Sequence, residues 1–119
     1  MNREEMLKRL KAGEDPLDLS IEKWKDIVNH LNEIQCVEDF NKELEEGEEN
    51  CALCEVYGAK DCKDCPVYQR TGKEGCLGTP YSEFKWACIK GMLKDMQRFA
   101  RWELEFLISL KKQLMEKWN

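Results

Sequence analysis

Residues 82–118 read SEFKWACIKGMLKDMQRFARWELEFLISLKKQLMEKW. Ser82 is placed to cap a helix, with Pro80 just before it and Glu83 in the first turn, where a negative charge meets the positive end of the helix dipole. From there Phe84, Cys88, Ile89, Met92, Leu93, Met96, Phe99, Ala100, Trp102, Leu104, Phe106, Leu107, Leu110, Leu114 and Trp118 recur at helical spacing. On a helical wheel they cover roughly 200°, about twice the stripe that one packing surface needs. The expectation is one long C-terminal helix, central to a bundle or shared with a second copy of the chain. It makes the fold class all-α.

The pattern upstream is also helical. Residues from about Asn2 to Lys11 form a short amphipathic helix carrying Met6, Leu7 and Leu10, closed by Gly13 and Pro16. Ser20 is expected as the N-cap of the next helix, with Leu19 and Trp24 forming a hydrophobic staple around it. Ile21, Trp24, Ile27, Val28, Leu31 and Ile34 then make one buried stripe. The apolar residues next jump to Val37, Phe40 and Leu44, a phase shift that predicts a kink near 35–37 in a helix reaching about Glu46. A chain of 119 residues is expected to form a single helical domain, 1–119, with a cysteine-rich insert of loops and short turns at about 50–80.

The composition is 42% hydrophobic and 36% charged, with a formal charge of −5. That suits a folded helical protein with a charged surface rather than a disordered chain. No run of about 18 apolar residues marks a membrane span, and the charged N-terminus MNREEMLKRLKAG is not a secretory signal. A cytoplasmic protein is expected. In a reducing compartment, clustered cysteines bind metal more often than they pair as disulfides.

Five of the seven cysteines fall within residues 51–76. Cys51-Ala-Leu-Cys54 and Cys62-Lys-Asp-Cys65 are two Cys-x-x-Cys pairs, and Cys76 follows. Each pair can put two thiolates on one tetrahedral ion, and two pairs close a four-sulfur zinc site. The simplest set is Cys51, Cys54, Cys62 and Cys65, with Cys76 free, as outer support, or as a replacement for one of them. Four sulfurs leave no open position, so zinc here is structural. Its thiolates and divalent charge would take the net charge to about −7, which repels a nucleic-acid backbone. An iron–sulfur cluster is the main rival, favoured by the Cys65-Pro66 step but not by the spacing before it. Cys36 and Cys88 are expected to be buried free cysteines within helices.

The stretch CALCEVYGAKDCKDCPVYQRTGKEGCLGTPYSEF, followed by ELEFLISL, resembles small cysteine-rich proteins encoded by phages, bacteria and archaea. The resemblance lies in Cys51, Cys54, Cys62, Cys65, Pro66, Cys76 and the Thr79-Pro80-Tyr81 turn into a helix. It spans the C-terminal half to two-thirds of the chain. A metal-stabilised module is what it implies, with no reaction attached.

Other features read more simply as surface. Glu43, Glu45, Glu46, Glu48 and Glu49 form a run rather than inward pairs, which favours a solvated face over a magnesium site. His30 is expected to be a partly exposed helix residue rather than a zinc ligand. Lys90, Lys94, Arg98 and Arg101 make a basic stripe on the last helix, sufficiently explained by solvation. No catalytic constellation is found. The expected function is a small zinc-binding module with a structural metal, acting in protein interaction or as an adaptor. The alternatives are a nucleic-acid-associated adaptor using the basic stripe, an all-α nucleotide hydrolase using the acidic residues, and an iron–sulfur protein. The wide apolar surface of the last helix adds the expectation of a homodimer, testable by a charge at Phe106 or Leu107.

Overall fold

The computed structural model describes residues 2–44, 51–58, 64–72 and 79–118. These form six α-helices: α1 (Arg3–Lys11), α2 (Pro16–Glu33), α3 (Ala52–Tyr57), α4 (Pro66–Thr71), α5 (Tyr81–Lys90) and α6 (Leu93–Trp118). Two 3₁₀ turns, Val37–Asp39 and Lys42–Leu44, follow α2, and no strand occurs among the described residues. The all-α expectation therefore holds. At 1.5 Å per residue the 26 residues of α6 span about 39 Å. That nearly matches the 42 Å long dimension of the molecule, so α6 is its axis.

α2 and α5 pack along α6. Leu17, Ile21, Trp24, Ile27 and Leu31 come from α2, Phe84 and Ala87 from α5, and Met96, Ala100, Leu107 and Leu110 from α6. Leu53 of α3 and Val67 of α4 close one side of this core. Trp24 meets Phe84 edge-on with ring centroids 5.1 Å apart, and Tyr81 at 5.9 Å. This perpendicular geometry puts positive ring edges against negative ring faces. α1 is attached separately, through Met6 packed with Leu19 and Ala52, and through Arg9, which bonds both Glu14 and Glu22.

Four boundaries differ from the sequence expectation, and at one of them Ser82 lies inside α5, whose N-cap is Pro80. The N-cap of α2 is Asp15, whose carboxylate accepts the Leu17 N–H at 2.7 Å, with Pro16 in the first turn. Proline needs no hydrogen-bond partner there, so Asp-Pro starts the helix one turn before Ser20. Ser20 is consequently buried inside α2, and no staple forms around it. At the other end α2 stops at Glu33. The phase shift near 35–37 marks that end, and short 3₁₀ turns follow instead of a kinked helix.

A further difference lies in the C-terminal region. Gly91 adopts the left-handed conformation (φ 68°), its N–H bonds the Cys88 carbonyl, and the Met92 N–H bonds the Ala87 carbonyl. This pair of bonds is a helix-ending Schellman motif. The single long helix is therefore two helices of different phase, which explains the broad apolar wheel. On α6 alone the buried stripe is narrow, comprising Met96, Ala100, Glu103, Leu107 and Leu110. Leu107 belongs to the core, so a charge there would test folding rather than an interface.

No helix among the described residues is long and apolar enough to cross a membrane.

Two substitutions probe this architecture by urea denaturation. Phe84→Ala should cost about 3–5 kcal/mol, because the ring is fully buried. Gly91→Ala should cost about 1–2 kcal/mol from backbone strain alone, since an added Cβ meets only Val37 at 3.9 Å. A null effect at Gly91 would show that the turn is not constrained as described.

Candidate metal centre

Cys51, Cys54 and Cys65 lie at the starts of short helices rather than in irregular loops. Cys51 is the N-cap of α3, with Cys54 in that helix's first turn, and Cys65 is the N-cap of α4, with Pro66 at its first position. The Cys51 Sγ accepts the Cys54 backbone N–H at 3.4 Å. An N-cap sulfur sits where free amide N–H groups converge, which favours a thiolate. The Cys51 thiol is accordingly drawn down to about 6, first by its hydrogen bond with the Cys54 thiol and further by the Lys23 charge and the backbone amides of Cys54 and Leu53. Cys65 is buried within the same core, close enough to Tyr57 for its charge to push the phenol pKa upward, behind burial and Asp15.

Cys51 and Cys54 are thus brought together, while Cys62 and Cys76 lie outside the described residues. Among the described residues no three His, Cys, Asp or Glu side chains are grouped to hold a metal ion. Among the candidate ligands, Cys51 combines a thiol inclined to ionise with an amide N–H directed at its sulfur. Cys36 departs from expectation. It is exposed ahead of the first 3₁₀ turn and donates to Asp39 at 3.1 Å, a bond that holds its proton and raises its pKa. Cys88 is partly buried in α5, packed against the core.

Behind Cys51 lies a buried polar group that the sequence reading did not identify. Lys23 of α2 is only 7% exposed and Glu103 of α6 only 3%. Glu103 is hydrogen-bonded by the Thr79 hydroxyl and the Tyr81 backbone N–H, but its Oε2 has no hydrogen-bond partner. Burial, its largest influence, lifts the carboxyl to about 7 against the pull of those bonds and of Lys23, and the Cys51 charge raises it further. Ser20, one turn before Lys23, also has a buried hydroxyl without a partner. Thr79 further lines a surface hollow of about 310 Å³ with Pro80, Ser82, Glu83 and Trp102.

The remaining candidates resolve as structural. His30 accepts the Asn41 N–H through Nε2 at 2.9 Å and lies against Phe40, so it secures the chain after α2. The basic stripe is divided by the Gly91 break, with Lys90 ending α5 and Lys94, Arg98 and Arg101 on α6. Arg98 bonds Asp95 and covers the rings of Phe99 and Trp102. Glu45, Glu46, Glu48, Glu49 and the Glu43 side chain lie outside the described residues. No protein-family model, curated protein or solved structure matches the chain.

Glu103 gives metal-free protein a distinctive pH dependence. In the folded chain its carboxyl keeps a proton up to about pH 7, whereas the unfolded chain releases it near 4.5. The unfolded state thus binds fewer protons between these values, and stability from this group falls as pH rises through them, by roughly 3 kcal/mol. Cys51 acts oppositely, since its lowered thiol adds stability as pH rises toward the ordinary thiol range. Glu103→Gln removes only the first effect. Between pH 4.5 and 7.5 its stability should therefore rise relative to the parent by roughly 3 kcal/mol in urea titrations. A constant difference would contradict a buried, proton-binding Glu103.

Proposed function

We propose that the chain is a small zinc-binding module in which the metal stabilises the fold, and that it works by contacting another protein. The N–H···S contact at Cys51 carries the metal reading, because it is an arrangement suited to a metal-bound thiolate. Cys51, Cys54 and Cys65, with Cys62 or Cys76, would hold the ion. Bound there, zinc would contribute binding energy to folding, on the order of 10 kcal/mol in small zinc modules. It would cross-link α3 and α4, each only six residues long and too short to persist alone.

Ser replacement at Cys54 or Cys65 should lower zinc to well below one ion per chain by elemental analysis. Both variants, and chelated parent protein, should also be cut faster by protease between residues 51 and 80. Unchanged metal content and proteolysis in both would remove these cysteines from the ligand set. A brown protein with visible absorbance would replace zinc by an iron–sulfur cluster.

The interaction reading rests on exposed apolar side chains along α5 and the following turn. Trp86 is 61% exposed, Ile89 68% and Met92 49%. A second copy of the chain is the proposed occupant of this surface. Light scattering at high protein concentration should give a dimer, and Ile89→Asp should return a folded monomer, since Ile89 contributes little to the core. A monomeric parent would overturn this proposal. Salt-sensitive nucleic-acid binding, or magnesium-dependent nucleotide turnover, would support the adaptor or hydrolase alternative.

A further inference from the structure

A tryptophan held half in water, on a helix that already has its own buried stripe, calls for a reason. α6 turns Met96, Ala100, Glu103, Leu107 and Leu110 to the core, while Trp102 remains 48% exposed. Phe99 packs against it with ring centroids 5.4 Å apart and planes at 82°. Trp102 also walls the surface hollow of about 310 Å³ formed with Thr79, Pro80, Ser82 and Glu83, where α6 passes the start of α5. That volume lies at the lower end of the range for small-ligand sites, about 300–1,000 Å³. The Thr79 hydroxyl is committed to the fold, accepting the Tyr81 N–H at 3.2 Å and donating to Glu103. Glu83 brings a formal charge to the hollow, and none of its described lining residues is a lysine or arginine.

This lining selects by charge. An indole face is negative and attracts cations, and a carboxylate on the same hollow adds to that attraction. The ring already draws a cation within the fold: the Arg98 guanidinium stands 5.6 Å from its centroid, with its charge met by Asp95 at 3.2 Å. An anion would be repelled by Glu83, which also offsets the positive end of α5. A small inorganic cation stays strongly hydrated, whereas a guanidinium or alkylated ammonium has a diffuse charge that is easily desolvated against an aromatic ring. We propose that this hollow is a binding site for a small organic cation, a guanidinium or an alkylated ammonium, held by the Trp102 indole and the Glu83 carboxylate. The site uses none of the cysteines and none of Trp86, Ile89 and Met92, so it stands independently of the zinc and dimer readings.

The experiment titrates tetramethylammonium chloride into the full chain and follows the Trp102 indole ¹⁵N–¹H resonance, assigned by its loss in Trp102→Phe. Sodium chloride at equal ionic strength is the control. The resonance should shift saturably at millimolar tetramethylammonium and stay in place with sodium. Glu83→Gln should weaken binding about 2- to 5-fold, as expected for one exposed charge pair, and Glu83→Lys should abolish it, with urea midpoints confirming that both variants fold. An unmoved resonance, a shift that sodium reproduces, or parent-like affinity in folded Glu83→Gln would overturn the proposal. Should the Glu83 variants fail to fold, the parent decides through Overhauser contacts from the probe's methyl protons: contacts to the Trp102 ring support the site, and contacts to the other tryptophans instead overturn it. The peptide acetyl-Gly-Arg-Gly-amide then distinguishes the source. Tighter binding than tetramethylammonium supports the site as a receptor for a protein partner's arginine, and weaker binding supports it as a site for a free quaternary amine.

Discussion

The edge-on contact of Trp24 with Phe84 joins α2 to α5 at the centre of the molecule, and the remaining packing is arranged around it. Phe84 can reach that position only because α5 doubles back from α6 at Gly91. The same reversal sets Thr79 and Tyr81, at the start of α5, beside Glu103 near the middle of α6. One turn of backbone thereby decides both where the aromatic core closes and where a carboxyl group is buried. The short helices α3 and α4 add Leu53 and Val67 to this core while carrying cysteines at their N-termini. Hydrophobic packing and thiol chemistry thus share the same few residues.

The helical character of the chain was legible because apolar residues recur at three- and four-residue intervals. The Cys-x-x-Cys spacing likewise pointed to Cys51 and Cys54 as a pair. The register of the long C-terminal segment was not legible from the summed apolar pattern, because two helices of different phase together look like one broad helix. Gly91 was the available signal, followed two residues later by Leu93, where a new stripe begins. Counting from there, Met96, Ala100, Leu107 and Leu110 are separated by four, seven and three residues, and Glu103 falls on the missing step. A charged residue on that step indicates a buried carboxyl, and the combined pattern concealed it.

Lys23 was harder to recognise. It lies in Ile21-Glu22-Lys23-Trp24-Lys25-Asp26, where charged residues dominate and Lys23 resembles its solvent-facing neighbours. Its burial appears only once α2 is packed into the fold. At the start of α2 the competition is local: Ser20 offers an acceptable cap, but Asp-Pro supplies both a carboxylate acceptor and a fixed backbone angle one turn earlier. The Asp15 cap rests on local chemistry, whereas the burial of Lys23 is a property of the packed fold.

The uneven placement of the tryptophans has a spectroscopic consequence. Trp24 is sealed in the core, whereas Trp86 and Trp102 stand 61% and 48% exposed. Indole emission moves to shorter wavelength when water is excluded, so among these three indoles the native emission is weighted toward the surface. Denaturation will consequently produce a modest red shift, contributed chiefly by Trp24. Covering the α5 surface will move the emission in the opposite direction, so one optical signal separates loss of the core from occupation of the exterior.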